Sequence, residues 1–265
     1  MMDALVIAGI AFGCIALGVV LGMLLRNILP DHHLSSDAKD VVRLGTGLIG
    51  TIAALVLGLL IASAKNAYDV QSGEVKQLTA DVILLDNVLS EYGAEADQAR
   101  VLIRRGLGVL ADRMWRRSGF DETNVPPFEA SAVTEQLYQQ FRKLSPKDEA
   151  QRSLQARAIE LGSNIAKTRL LLYTQSTNSI PMPFLAVLIF WLSIIFASFS
   201  LFAKPNAIVV ASLFIFAISA AGSIYLIIEL GQPFSGLMRI SSEPLRNALP
   251  PLPMAQSSCT AGQNR

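Results

Sequence analysis

The sequence predicts an all-α membrane protein: four transmembrane helices in two hairpins, with a cytosolic antiparallel helical bundle continuous with spans two and three. Three observations predict it. Residues 4–25, about 44–64, about 182–203 and about 207–230 are nearly charge-free, and each is close to the ~20 residues that cross a bilayer as a helix. The stretch between the two pairs, 65–180, holds most of the charge and repeats its apolar residues at helical spacing. Of the 265 residues, 52% are hydrophobic and 16% charged, whereas soluble domains carry about 25% charge. The chain thus divides into a first hairpin (1–64), an amphipathic body (65–180), a second hairpin (181–230) and a tail (231–265) whose composition beyond about 250 is that of disorder.

Span one runs from Ala4 to Leu25 and meets Arg26, with Pro30 beyond it. No Lys or Arg precedes Arg26, and the apolar run is long for a signal core, so an uncleaved span is expected. Gly9 and Gly13, then Gly18 and Gly22, recur one turn apart, the spacing that lets two membrane helices approach closely. The connector 26–43 contains Asp31, His32, His33 and Asp37. No ligand spacing of a structural metal site is present there, so a solvated turn is expected.

Span two carries Gly47, Thr51, Ala54, Gly58 and Ala62 every three or four residues, so small residues line one face. Such a stripe suits a close helix seam or the wall of a pore, and one helix of an oligomer can serve both. No proline follows to stop it. Val75, Leu78, Val82, Leu85, Leu89 and Tyr92 continue at helical spacing, which predicts one long helix out of the membrane with Gly73 as a weak point.

A second body helix fits 95–117, with Val101, Leu102, Leu107, Leu110 and Met114 as its apolar side, and 120–127 reads as a loop. A third covers about 128–144 (Val133, Leu137, Phe141). Ser145 followed by Pro146 then reads as N-cap and first turn of a fourth helix, which runs to about Thr177 with Leu154, Leu161, Ile165 and Leu172 on one side. Pro181 and Pro183 break it where span three begins. Lys204-Pro205-Asn206 is too short for anything but an antiparallel turn into span four, which ends near Glu229.

The charge pattern narrows function by exclusion. A net charge of +1 gives no basic face for nucleic acid. Cys14 and Cys259 offer no disulfide framework. No nucleophile elbow, phosphate loop or zinc-protease motif is present, so neither enzyme activity nor a cofactor is expected. Long loops count little toward orientation, and near the span ends Lys65, Lys76, Lys167, Arg169, Arg239 and Arg246 stand against Arg26, Lys39, Arg43 and Lys204 of the two connectors. That modest bias favours N-terminus, body and C-terminus in the cytoplasm, and a bacterial inner membrane is the expected location. Glu229, at the edge of a span, reads as a carboxylate snorkelling to the interface, as an ion or proton ligand, or as a partner for Arg239 or Arg246.

The segment after span four carries a more specific signal. Pro233, Phe234, Ser235 and Gly236, then Pro244 and Leu245, fit the pattern D-x-P-F-x-G-x-x-x-[IV]-x-x-x-P-[FL] except at its first position, where Gly231 stands in place of the Asp and the nearest acidic residue is Glu229. This resembles the bestrophin-like membrane proteins of the DUF4239 group, and the paired-span layout extends the resemblance over the whole chain. The resemblance implies kinship with bestrophins, which are pentameric anion channels with four spans and a helical cytosolic part. Two features depart from that kinship: span two contains no phenylalanine for an aromatic neck, and no dense acidic cluster resembles a calcium clasp. The leading expectation is therefore a homo-oligomeric channel for a small ion in the lipid bilayer, with span two lining the pore. The alternative is a non-conducting structural or signalling membrane protein acting through its helical body. The Pro233–Gly236 turn is expected to redirect the chain along the membrane surface with Phe234 in the interface.

Overall fold

A computed structural model describes residues 4–29, 36–116, 132–176, 182–203 and 206–249. Every regular element among the described residues is helical. They are α1 (Ala4–Ile28), α2 (Ser36–Tyr92), a 3-10 turn (Ala94–Ala96), α3 (Asp97–Arg116), α4 (Ala132–Lys143), α5 (Glu149–Ser176), α6 (Met182–Phe202), α7 (Ala207–Leu230) and the single turn α8 (Glu243–Arg246). Four of them, α1, α2, α6 and α7, are long and apolar enough to cross a membrane. The chain forms two compact units: Met1–Gly73 with Leu172–Ile240, and Glu74–Leu171 with Ser241–Arg265. Whether α5 runs on into α6 turns on residues 177–181, which lie outside the described residues, as do the loop at 120–127 and the tail beyond 249.

In the membrane unit, the buried residues of α1 fall on one stripe: Ala4, Ile7, Ala11, Ile15, Gly18 and Gly22. That stripe packs on α6 and α7, the spans from the far end of the chain. The glycines differ sharply in use. A Cβ at Gly18 would sit 2.6 Å from the Ser193 carbonyl oxygen, and one at Gly22 would collide with the Ser200 hydroxyl and the Ala197 carbonyl. Gly9 and Gly13 face open space. Phe12 and Phe214 add an edge-to-face pair with ring centroids 5.6 Å apart. Leu188, Phe196, Leu213 and Ile224 complete the core, onto which α2 lays Ala53 with Ile49, Leu57 and Leu60 alongside. Lower down the same helix, Ala64 meets Ile227 and Leu230.

α2 is one uninterrupted helix of 57 residues. At 1.5 Å per residue it is about 85 Å long, nearly three times the ~30 Å hydrocarbon core, so much of it must leave the bilayer. In the body unit its apolar stripe Val75, Leu78, Val82, Leu85, Leu89 and Tyr92 is buried throughout. On α3 the phase differs from the expectation. Ala99, Ile103, Leu107 and Ala111 are buried, whereas Val101 is 44% exposed, because small alanines set the closest contact face. α4 packs on α3, and its Phe141 is fully buried against Gly162 of α5. The cap of α5 also falls three residues later than Ser145. Asp148 Oδ1 accepts the Gln151 N–H at 2.7 Å, and Gln151 reaches back to the Lys147 N–H at 2.8 Å.

A buried ion cluster joins α2 to α3. Arg100 donates to both carboxylate oxygens of Asp86 at 3.0 and 3.1 Å, and Arg104 Nη2 donates to Oδ2 at 3.1 Å. Burial alone would raise the Asp86 carboxyl. The Arg100 hydrogen bond and the charges of Arg104 and Arg100 outweigh it and hold that carboxyl below its ordinary value. At the tail, α8 docks on α3, with Arg246 and Asp112 2.6 Å apart, and Leu245 of α8 is fully buried.

Candidate functional sites on span two and at the end of span four

Gly47, Thr51, Ala54, Gly58 and Ala62 are all exposed on α2. At about 100° per residue they lie about 120° around the helix from Thr46, Ala53, Leu57, Leu60 and Ala64, which face the rest of the unit. No side chain approaches within 4 Å of where a Cβ would stand at Gly47 or Gly58. A further stripe carries Leu44, Leu48, Leu55 and Leu59, each at least 64% exposed. The leucine stripe is centred only about 70° from the small stripe and meets it at Leu44 and Ala62, so α2 has one side packed on its own unit and one broad exposed side on which small residues grade into leucines. Thr51 donates its hydroxyl to the Gly47 carbonyl at 3.0 Å, so its one donor is used within the helix.

The segment after α7 is built around Glu229. This carboxylate is 4% exposed. Its Oε1 accepts the backbone N–H of Leu237 in a short bond and that of Met238 at 3.2 Å. The loop closes on itself through Ile240 N–H to the Pro233 carbonyl at 2.7 Å and Ser235 N–H to the Gln232 carbonyl at 3.1 Å. Ser235 also donates its hydroxyl to the Gln232 side-chain oxygen at 3.2 Å. Gly236 sits at φ +84°, and a Cβ there would run into the Glu229 carboxylate. Pro233 is buried, Phe234 half-buried, and Pro244 is the second residue of α8.

The structure thus brings Glu229, Pro233, Ser235 and Gly236 together as one turn, and Pro244 stands apart in α8. The arginine readings of Glu229 do not describe it: two backbone amides bond its Oε1, and Arg246 is engaged by Asp112. Sequence reasoning missed this role because the donors are main-chain N–H groups. It also missed Ser193, Ala197 and Ser200 on α6, whose small side chains at helical spacing were the visible counterpart of Gly18 and Gly22. Among the described residues no group of three or more His, Cys, Asp and Glu converges to hold a metal. Asp31, His32 and His33 and the Asp37 side chain lie outside them.

A family model described as "Bestrophin-like domain" matches residues 12–245. No curated protein and no solved structure matches.

Proposed function

This chain belongs to the bestrophin-like family, and on that premise we propose that it forms an oligomeric ion channel, with the small-residue face of α2 turned toward the central axis. The chain is an integral membrane protein with four spanning helices. The observation that carries the proposal is the exposed stripe of Gly47, Thr51, Ala54, Gly58 and Ala62, about 120° around the helix from the packed face and adjoining the leucine face. In a ring of copies the leucines meet lipid, the packed face stays with its own spans, and the small residues border the axis. Such a lining leaves a narrow path that apolar side chains can gate by dewetting. The stripe carries no ring of charge, so the path supports weak ionic selectivity. On the charge bias of the connectors, the N-terminus, body and C-terminus belong in the cytoplasm of a bacterial cell.

The competing reading is a non-conducting membrane scaffold in which the stripe is a seam between copies. One observation favours it: Glu229, the carboxylate within α7, accepts two backbone amides of the turn that follows, as a carboxylate that holds a turn does. Reconstitution in planar bilayers separates the two readings. The channel reading expects discrete current steps from purified protein; silence across several salts and voltages contradicts it.

A further inference from the structure

We propose that the crevice at the Arg26 end of the spans binds the phosphate group of a membrane phospholipid. The crevice encloses about 140 Å³ and is lined by Met23, Arg26, Asn27, Ser200, Ala203 and Val209. Three spans contribute: the end of α1, the end of α6 and the first turn of α7.

Its depth in the bilayer follows from helix geometry. About 33 Å of helix separates Ala4 from Arg26, which is about the thickness of the hydrocarbon core. With Ala4 at one headgroup layer, Arg26 stands at the other, where lipid phosphates lie.

The chemistry of the lining suits that group. Arg26 Nη1 donates to the Ala203 carbonyl at the end of α6. A guanidinium has five N–H donors, and among the described residues this carbonyl is the acceptor Arg26 has, so most of its donors remain for a ligand with several acceptor oxygens. Asn27 adds an exposed amide beside it. Met23 and Val209 give the crevice an apolar side, and Leu24, Leu25 and the strongly exposed Ile208 continue the apolar surface outward along the spans. A phosphate diester with acyl chains matches both halves: acceptor oxygens toward Arg26 and Asn27, hydrocarbon along the helices. A cap for α6 alone needs a single N–H and no cavity. The site is independent of whether α2 conducts.

Native mass spectrometry of the full chain in mild detergent, titrated with phosphatidylglycerol, tests this. Wild type is expected to hold the lipid. Arg26→Gln, which can still donate to the Ala203 carbonyl, should hold about five-fold less, the weight of one basic residue near an anionic surface. Val209→Phe keeps Arg26 and fills the crevice, and should lose the lipid too. Lys39→Gln removes a cation from the same connector away from the crevice and should bind as wild type. Excess inorganic phosphate should leave the bound lipid in place. Retention by both Arg26→Gln and Val209→Phe would overturn the assignment. So would equal loss in Lys39→Gln, or displacement by inorganic phosphate, which would assign the crevice to the free anion.

Discussion

A carboxylate buried at the end of an apolar helix is costly unless it is hydrogen-bonded, and the chain that follows Glu229 brings two backbone amides to its Oε1. Gly236 is the residue that allows this. Its left-handed backbone turns the Leu237 and Met238 amides toward the carboxylate, and a side chain there would strike it. Gly236→Ala should therefore lower the melting temperature in detergent. The backbone conformation alone costs about 1–2 kcal/mol, and the collision adds to it. Glu229→Ala leaves two backbone donors unpaired and should cost about 1–3 kcal/mol. Glu229→Gln keeps an acceptor and should cost less than Glu229→Ala. A Gly236→Ala protein that melts with wild type would contradict this account of the turn. Asp86 is the second residue with a defined role. Its folded carboxyl lies below its ordinary value, so its contribution to stability is fully present above that ordinary value. It is lost as pH falls below about 4 toward the depressed folded value. Melting followed against pH should show this acid limb in wild type, and Asp86→Asn should flatten it.

Among the elements, α1 makes the sharpest prediction, because two of its glycine positions are filled by a neighbour and two are not. Gly22→Ala should weaken the packing of α1 on α6 and lower the melting temperature. Gly9→Ala should leave stability unchanged or raise it by up to about 1 kcal/mol, through helix propensity alone. Equal effects at the two sites would contradict the packing described. The same contrast shows where sequence is readable. The spacing of the four glycines marked a close-packing face, but a one-chain periodicity does not say where along that face a neighbour lies. The body stripe from Val75 to Tyr92 was fully legible, because long apolar residues at helical spacing can be buried in only one phase. α3 was less so: its core face is set by Ala99 and Ala111, and alanine contributes little to a hydrophobic pattern while permitting the closest approach. The start of α5 was read one turn early, since Ser145-Pro146 and Asp148 both offer capping chemistry and the hydrogen bonds to Gln151 decide between them. The role of Glu229 was not legible, because its partners are backbone amides brought round by a left-handed glycine.

For the whole molecule, the proposed ring turns on the exposed side of α2, where a row of small residues adjoins a row of leucines. The particle in mild detergent should therefore have a protein mass that is a multiple of 28.6 kDa; a stable monomer would contradict an assembly built on this face. The most direct test of the channel account is thiol block of current in planar bilayers, in a protein with Cys14→Ala and Cys259→Ala. Ala54→Cys places a thiol on the small-residue face, and Leu55→Cys places one on the leucine face. A charged water-soluble thiol reagent should reduce the current of Ala54→Cys and leave that of Leu55→Cys unchanged. Current that is insensitive at Ala54→Cys, or blocked instead at Leu55→Cys, would contradict the placement of this face at the axis.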